Sequence, residues 1–300
     1  MLTSACSPNT SKIIGKGYSK LNSGNYDKAI KKFDKAVRKP GYGKAKAYHG
    51  LALSYENKNN ISRALNYAQR ACKTNTTDPG YSFNLARYNA YLGEESKAIN
   101  WLFNIGDAIA VSRSRNIEYY ARKASNDPFL KTLRNDIKFR RFLDGGYRRV
   151  KLSIRSGKSS VDDKWTQNDQ FAVVSAQTNN GKQKVILATD VIQDDNSASF
   201  YGEYVIFDYK LGTTISIGHY DEDYTSHDRL SSYKGPIPSN LQNLTKTTNS
   251  RSSSLSFSIS DANTSTYTSG TDIPSTISTS DILLGVGAAA LVIGASELSS

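Results

Sequence analysis

Apolar residues follow two different periods along the chain, and the change comes about half-way. In the first half they recur three and four positions apart, as in Ala29, Phe33 and Ala36, which is typical of amphipathic helices. In the second half they alternate with polar residues, as in Val150 and Leu152, which is typical of half-buried strands. The pattern predicts a multidomain chain: an all-α region, then an all-β sandwich, then a tail.

The helical half contains an internal repeat. Residues 24–36, 61–71 and 93–102 share a pattern that can be aligned on Ala29, Ala64 and Ala98, with spacings of 35 and 34 residues. This pattern resembles the second helix of a tetratricopeptide repeat, whose period is about 34 residues. The resemblance implies a helical solenoid over residues 11–146 that binds a protein or peptide on its concave face. Residues 1–10 are predicted from their own sequence to be disordered.

The end of the repeat array carries signals of a cap and a boundary. Residues 117–124 are predicted to form one more helix, and Asp127-Pro128 begins a short capping helix pair, since proline is tolerated in the first turn. Asp144-Gly145-Gly146 ends the region. Four polar residues are candidates for the concave face, although a solvated surface explains them equally well: Lys20, Asn59, Asn60 and Arg87.

The second half carries a concentrated acidic stretch, residues 220–228, with four acidic side chains in nine residues. With Asn168-Asp169-Gln170-Phe171 and the segment 195–207, it resembles a C2 domain, the calcium- and phospholipid-binding β-sandwich, over residues 147–241. The resemblance implies five calcium ligands on two loops: Asp163, Asp169, Asp221, Asp223 and Asp228. Calcium prefers such clustered carboxylate oxygens, and anionic phospholipid completes the shell in this family.

Two observations leave this assignment open. Asp228 follows Asp223 by five residues, so Arg229 competes for the last ligand position and its cation opposes a metal. A solvated acidic loop in a metal-free sandwich is the alternative. Trp165, in the first loop, is a candidate for membrane contact or, equally, for packing on its own domain.

The charge distribution separates the two halves. The net charge is +12, but residues 1–150 carry 28 Lys and Arg against 11 Asp and Glu, and residues 151–300 carry 11 against 16. A basic first half suits nucleic acid, an anionic membrane or an acidic protein. Nucleic acid is disfavoured because no exposed aromatics are interleaved with the basic residues. The oligomeric state is not readable from the sequence.

The termini differ from the folded regions in composition. Cys6 follows small residues, but no apolar run precedes it, so a lipoprotein signal is disfavoured. Residues 242–281 are rich in Ser and Thr and are predicted to form a polar linker. Residues 282–295 are apolar but shorter than a usual membrane span. Two outcomes are therefore open: the tail associates with a membrane, or the protein is cytoplasmic.

These features together predict a non-enzymatic adaptor: a helical scaffold for a protein partner joined to a module for calcium, anionic lipid or both. A soluble scaffold with a metal-free sandwich is the alternative. A metal-dependent hydrolase is disfavoured because no nucleophile–histidine pair and no glycine-rich phosphate loop accompanies the carboxylates.

Overall fold

The structure is a computed structural model. It describes residues 8–40, 43–112, 116–159, 169–177, 183–193, 196–200, 202–222, 227–241, 245–249 and 253–262. The chain divides into two compact units, residues 1–146 and 147–300, called here the helical unit and the sandwich unit. The described part of the first is all-α and that of the second all-β, which confirms the predicted fold class.

Eight α-helices and one 3-10 helix lie in the described part of the helical unit. They are α1 Pro8–Asn22, α2 Tyr26–Val37, α3 Lys44–Asn57, α4 Ile61–Thr74, α5 Pro79–Tyr91, α6 Glu95–Ser112, α7 Ile117–Ser125, the 3-10 helix Pro128–Asn135 and α8 Ile137–Leu143. Each of the first six helices packs on its neighbours in the chain, and α1 also contacts α3. The structure starts α1 within the stretch predicted to be disordered, and Thr10 is already buried.

Close packing in this unit depends on small residues. The fully buried ring of Phe33 in α2 lies against Gly17 of α1 and Gly50 of α3. A Cβ atom at Gly50 would lie 2.3 Å from that ring, and one at Gly17 would lie 2.6 Å from it. Glycine therefore lets two helices approach the same aromatic side chain.

Eight strands form two antiparallel sheets in the described part of the sandwich unit. They are β1 Tyr147–Ser159, β2 Gln170–Gln177, β3 Gln183–Ala188, β4 Tyr204–Lys210, β5 Ile215–Glu222, β6 His227–Gly235, β7 Thr245–Asn249 and β8 Ser253–Asp261. The strand orders are β4-β1-β8-β7 and β3-β2-β5-β6. The sheets pack against each other, since the rings of Tyr233 in β6 and Phe257 in β8 lie 5.3 Å apart.

The predicted linker is wrong for residues 245–249 and 253–261. These residues form β7 and β8, and β8 pairs with β1 over most of its length. Leu255, Phe257 and Ile259 are buried, whereas the serines between them are less so. Asp261, at the end of β8, also accepts a hydrogen bond from the buried Arg148 Nε at 2.7 Å. The sandwich therefore includes β8, although the serine-rich composition of this segment resembles that of a linker.

Candidate functional site

An open cavity of about 750 Å³ lies on the helical unit, bounded mainly by α3, α5 and α7. These are the first helices of successive hairpins, so their equivalent faces line one side of the array. The walls combine fixed charges, amides and tyrosine rings. The lining includes His49, Leu53, Glu56, Asn57, Asn75, Asn84, Arg87, Tyr119, Lys123 and Asp127.

Arg87 is the centre of the cavity wall. Its guanidinium donates from Nη2 to Glu56 Oε1 at 2.6 Å and from Nε to Asp127 Oδ2 at 2.6 Å. It also lies over the Phe129 ring, 5.0 Å from the centroid. The Arg87 side chain is only 13% exposed, and those of Glu56 and Asp127 are 17% and 9% exposed. Burial lowers the pKa of Arg87, but the hydrogen bond and charge of Glu56 and then Asp127 outweigh burial and raise it.

Asp127 serves two elements at once. Its Oδ1 accepts the backbone N–H of Phe129 at 2.9 Å and so caps the 3-10 helix, while its Oδ2 holds Arg87 of α5. The Asp127-Pro128 start was predicted from the local sequence. Its ion pair with Arg87, 40 residues away, fixes the capping segment to α5.

A hydrogen-bonded chain extends from Arg87 across three helices. Arg87 Nη1 donates to Asn84 Oδ1 at 3.2 Å, and Asn84 Nδ2 lies 2.8 Å from His49 Nε2. His49 Nδ1 lies 3.2 Å from the Tyr18 hydroxyl, which donates to the Lys46 carbonyl at 3.0 Å. Because the amide nitrogen must donate, His49 accepts at Nε2 and carries its proton on Nδ1.

This arrangement keeps His49 neutral. Burial lowers the pKa of His49 to about 4. The charge of Asp78 acts in the opposite direction, but its effect is smaller than that of burial. Both ring nitrogens are already bonded within the chain of polar groups. The histidine therefore links α1, α3 and α5 through its two hydrogen bonds.

The structure separates the four residues predicted for the concave face. Arg87 lines the cavity. Asn60 is instead the N-cap of α4, where its side chain accepts from the Arg63 backbone N–H at 3.1 Å. Asn59 lies in the preceding turn with φ 56°, and Lys20 is an exposed residue of α1 outside the cavity lining. Their polarity is explained by a cap, a turn and solvent.

The sequence analysis missed His49, Glu56, Asn84 and Tyr119 as cavity residues. Their spacing contains a usable signal. His49 and Asn84 are 35 residues apart, and so are Asn84 and Tyr119. They occupy equivalent positions of successive first helices, so the repeat period alone places them along one face. Their polar or aromatic character at that phase marks a lined surface.

Asp169 and Asp221, two of the five predicted calcium ligands, lie together in the sandwich unit. The Asp169 backbone N–H donates to Asp221 Oδ1 at 2.7 Å, and Asp221 is 6% exposed. The register pairs Gln170 of β2 with Asp221 of β5. Asp169 and Asp221 thus meet at one end of the β3-β2-β5-β6 sheet.

The register places Asp228 and Arg229 opposite different residues of β5. Asp221 lies opposite Asp228, whereas Arg229 lies opposite Tyr220, after an irregularity at His219. The backbone therefore places Asp228 at the acidic end, and Arg229 beside a shallow groove with Gly218 and Tyr220. Asp163, Trp165 and Asp223 lie outside the described residues.

The fit to calcium is therefore partial. The described residues contain no group of three or more His, Cys, Asp or Glu side chains close enough to hold a metal. Asp169 and Asp221 supply two carboxylates at neighbouring strand ends, where the resemblance expects ligands. The contact between them is the hydrogen bond from the Asp169 backbone N–H to the Asp221 carboxylate.

His219 is a buried histidine of the sandwich unit. Its Nε2 lies 2.8 Å from Gln170 Oε1 and its Nδ1 lies 3.3 Å from the Ser231 hydroxyl. Burial lowers its pKa to about 4. A Cβ at Gly157 of β1 would lie 2.7 Å from Nε2, so glycine admits this polar pair between the sheets. Ile215, Ile217 and His219 alternate along β5 and are all buried, so the strand pattern places a polar residue in the core.

Comparison with known proteins gives one family match. Residues 16–94 match the family described as a domain of unknown function, DUF6340. The matched range contains Tyr18, His49, Glu56, Asn84 and Arg87. It covers less than half of the chain. No curated protein matches the sequence.

Three solved structures illustrate the structural likenesses. Human GIVD cytosolic phospholipase A2, in complex with methyl gamma-linolenyl fluorophosphonate, is 18% identical over 40% of this chain and 18% of that chain, with a TM-score of 0.33. A C2 domain is 12% identical over 37% and 96%, with a TM-score of 0.32. The Yersinia enterocolitica type III secretion chaperone SycD, in complex with a peptide of the translocator YopD, is 17% identical over 43% and 94%, with a TM-score of 0.36.

The chain spans less than a fifth of the phospholipase it matches. At these TM-scores, the likenesses carry no argument about activity or ligands.

Membrane association was predicted through the tail or the sandwich loops. Within the described ranges, no helix combines the length and apolarity that a bilayer crossing requires. The apolar residues 282–295 and Cys6 lie outside those ranges.

Proposed function

We propose that the protein is a non-enzymatic interaction scaffold whose helical unit binds a segment of another protein in the cavity bounded by α3, α5 and α7. The observation that carries this proposal is the cavity itself, about 750 Å³ and open to solvent, on equivalent faces of successive hairpins. Repeat arrays of helices create extended surfaces of this kind.

The wall is rigid before any partner arrives. Arg87 is held by two carboxylates, and Asn84 is held between Arg87 and His49. Side chains that are already ordered lose little conformational entropy on binding, which favours affinity. A preformed groove is the geometry expected for a partner segment.

The rim has the chemistry of polypeptide recognition. Asn57 and Asn75 are exposed amides that offer hydrogen-bonding groups to a peptide backbone, and Tyr119 is a half-buried aromatic ring of the same lining. Leu53 adds an apolar wall. Aromatic side chains with apolar neighbours are the usual sources of binding energy at interfaces.

The test uses peptides selected from a displayed library on the full chain. Their affinities are then measured by fluorescence anisotropy for wild type and Tyr119→Ala. We expect Tyr119→Ala to weaken binding about 10-fold, since loss of an aromatic contact in an interface can cost over 1 kcal/mol.

Tyr91→Ala is the matched control, because Tyr91 is 55% exposed on α5 and lies outside the cavity lining. Selected peptides that bind wild type and Tyr119→Ala equally well would place the binding surface elsewhere. Unequal binding together with an unchanged Tyr91→Ala control supports the cavity.

A second candidate function is calcium binding by the sandwich unit, with anionic phospholipid as the associated partner. The observation that favours it is the meeting of Asp169 and Asp221, with Asp228 opposite Asp221 in the register. Calcium would add positive charge beside a carboxylate that is almost fully buried. Asp163 and Asp223 complete the proposed ligand set.

This candidate is tested by isothermal titration of calcium into the full chain. Asp221→Asn retains an oxygen for the Asp169 N–H but removes the charge, so we expect calcium binding to be lost without unfolding. Glu95→Gln, an exposed carboxylate in the helical unit, is the control. Absence of calcium-dependent heat in wild type rejects the candidate and leaves the metal-free sandwich.

A further inference from the structure

The exposed surface of α2 carries a row of positively charged side chains that lie outside the cavity lining. Lys28, Lys31, Lys32, Lys35 and Arg38 are called here the α2 stripe. At 100° per residue they fall within an arc of about 120°, and they extend along about 15 Å of the helix. All are exposed except Lys32, which is half-buried.

The two acidic residues of α2, Asp27 and Asp34, both interact with the next hairpin. Asp27 forms an ion pair with Lys58 of the α3–α4 turn at 2.5 Å. Asp34 lies close enough to α4 for its charge to contribute, after burial, to the raised pKa of Tyr67. Both carboxylates thus interact with residues beyond α2.

The same hairpin adds a second row of charge. Lys12, Lys16 and Lys20 of α1 are exposed and spaced four residues apart, so they share one face of that helix. The first hairpin is therefore the most basic part of the helical unit. Such a density of like charge costs folding energy by self-repulsion, and an anionic partner relieves it.

The type of cation indicates the type of partner. Four of the five stripe residues are lysines, whose compact ammonium acts as a point charge without the planar fork of arginine. The aromatic residues of α2 are a buried Phe33 and a half-buried Tyr26, so the stripe offers no stacking platform for single-stranded nucleic acid. A straight row of lysines on a rigid helix suits a diffuse, fluid sheet of negative charge.

We propose that the α2 stripe docks the helical unit on an anionic lipid bilayer by electrostatic attraction, without calcium. This inference is independent of the cavity and of the sandwich loops. It gives the basic first half a partner and leaves the cavity free for a protein segment.

The experiment is co-sedimentation of the full chain with phosphatidylcholine vesicles, with and without phosphatidylserine, in the presence of EGTA. We expect binding only to vesicles containing phosphatidylserine, with affinity falling steeply as salt rises. The K28Q/K31Q/K35Q variant is expected to lose affinity on the order of 100-fold, since each lysine near the surface contributes about fivefold.

The matched control removes the same charge from scattered exposed positions: K73Q/R122Q/K131Q. Its affinity is expected to fall by less than about tenfold, because a dispersed set cannot approach one plane together. Equal losses in the two variants would overturn the stripe as the docking surface. So would wild type that leaves phosphatidylserine vesicles unbound, or that binds a DNA or RNA duplex at a salt concentration that abolishes vesicle binding.

Two further readouts keep the result interpretable. Melting curves of both variants are expected to match wild type, because the substituted side chains are exposed, and the salt dependence of wild type needs no variant at all. Asp221→Asn is expected to retain this calcium-free vesicle binding. If this variant lost vesicle binding, the sandwich unit and not the α2 stripe would be the docking surface.

Discussion

Each unit contains a buried histidine, but the two lie in different surroundings. The contrast shows which buried polar groups belong to a solvent-accessible cavity. His49 belongs to a chain of hydrogen bonds from Tyr18 to Arg87 that forms the wall of an open cavity. His219 lies between two sheets with Gln170 and Ser231. Both rings have a pKa lowered to about 4 by burial, so titration alone does not distinguish them. What distinguishes them is whether the polar network reaches solvent.

The largest expected effect comes from cutting the sandwich at its last strand. A chain ending at residue 252 lacks β8, which pairs with β1 and buries Leu255, Phe257 and Ile259. We expect its sandwich unit not to fold, while a chain ending at 262 folds like the full protein. Amide NMR spectra of the two truncations check this, and native-like β signals in the 1–252 chain would show that β8 is dispensable.

The next effect breaks the cavity wall. Arg87→Ala leaves Glu56 and Asp127 as poorly solvated carboxylates without their counter-ion, so we expect a loss of about 3–5 kcal/mol in the unfolding free energy of the helical unit. Urea unfolding followed by helical circular dichroism measures it. The exposed Arg122→Ala is the control and should change stability by less than about 0.5 kcal/mol. Similar losses in both variants would mean that the network adds nothing specific.

Acid sharpens the comparison of the histidines. The folded pKa of each is about 4, below the ordinary 6.5, so the unfolded chain binds protons that the folded chain excludes. The contribution of each ring to stability is therefore complete above pH 6.5 and declines as the pH falls towards 4, by up to about 3 kcal/mol. The groups acting on His49 are Asp78, Lys123, Glu56 and Lys46.

The measurement is urea stability of the full chain between pH 7.5 and 4.5, together with NMR titration of both rings. His219→Gln is expected to reduce the pH dependence of the sandwich transition and to leave that of the helical transition unchanged. A ring that titrates near pH 6.5 in the folded protein would contradict its buried, neutral state.

The smallest effect tests helix packing. Gly50→Ala brings a Cβ to 2.3 Å from the Phe33 ring, so we expect destabilisation of about 1–3 kcal/mol from overpacking. Gly15→Ala in α1 has no atom within 4 Å of the added Cβ and is expected to stabilise by up to about 1 kcal/mol. The two variants should therefore shift the melting temperature in opposite directions. Shifts of the same sign would argue against the close approach at Gly50.

Local patterns predicted much of the fold. The period of apolar residues identified the helices and the change to strands, and Asp127-Pro128 marked a true helix start. The failure at β8 has a physical cause. Serine lowers the mean hydropathy of residues 253–260, but Leu255, Phe257 and Ile259 alternate with it in the period of a strand, and alternation decides burial more than composition does.

The candidate sites were less predictable because their partners are distant in sequence. Arg87 binds Glu56, 31 residues before it, and Asp127, 40 residues after it, and neither spacing follows from a helical period. Asp228 and Arg229 could not be distinguished by counting, because the irregularity at His219 sets the register of β5 and β6. Such choices depend on pairing across strands.

The sequence by itself determined the two kinds of secondary structure, their order and the basic face of α2, since period and local charge act over a few residues. Only the tertiary structure decided which polar residues line a cavity, which act as helix caps and which serine-rich segment completes a sheet. The reason is that a buried polar group is stable only with a partner, and the fold determines which partner lies within hydrogen-bonding distance.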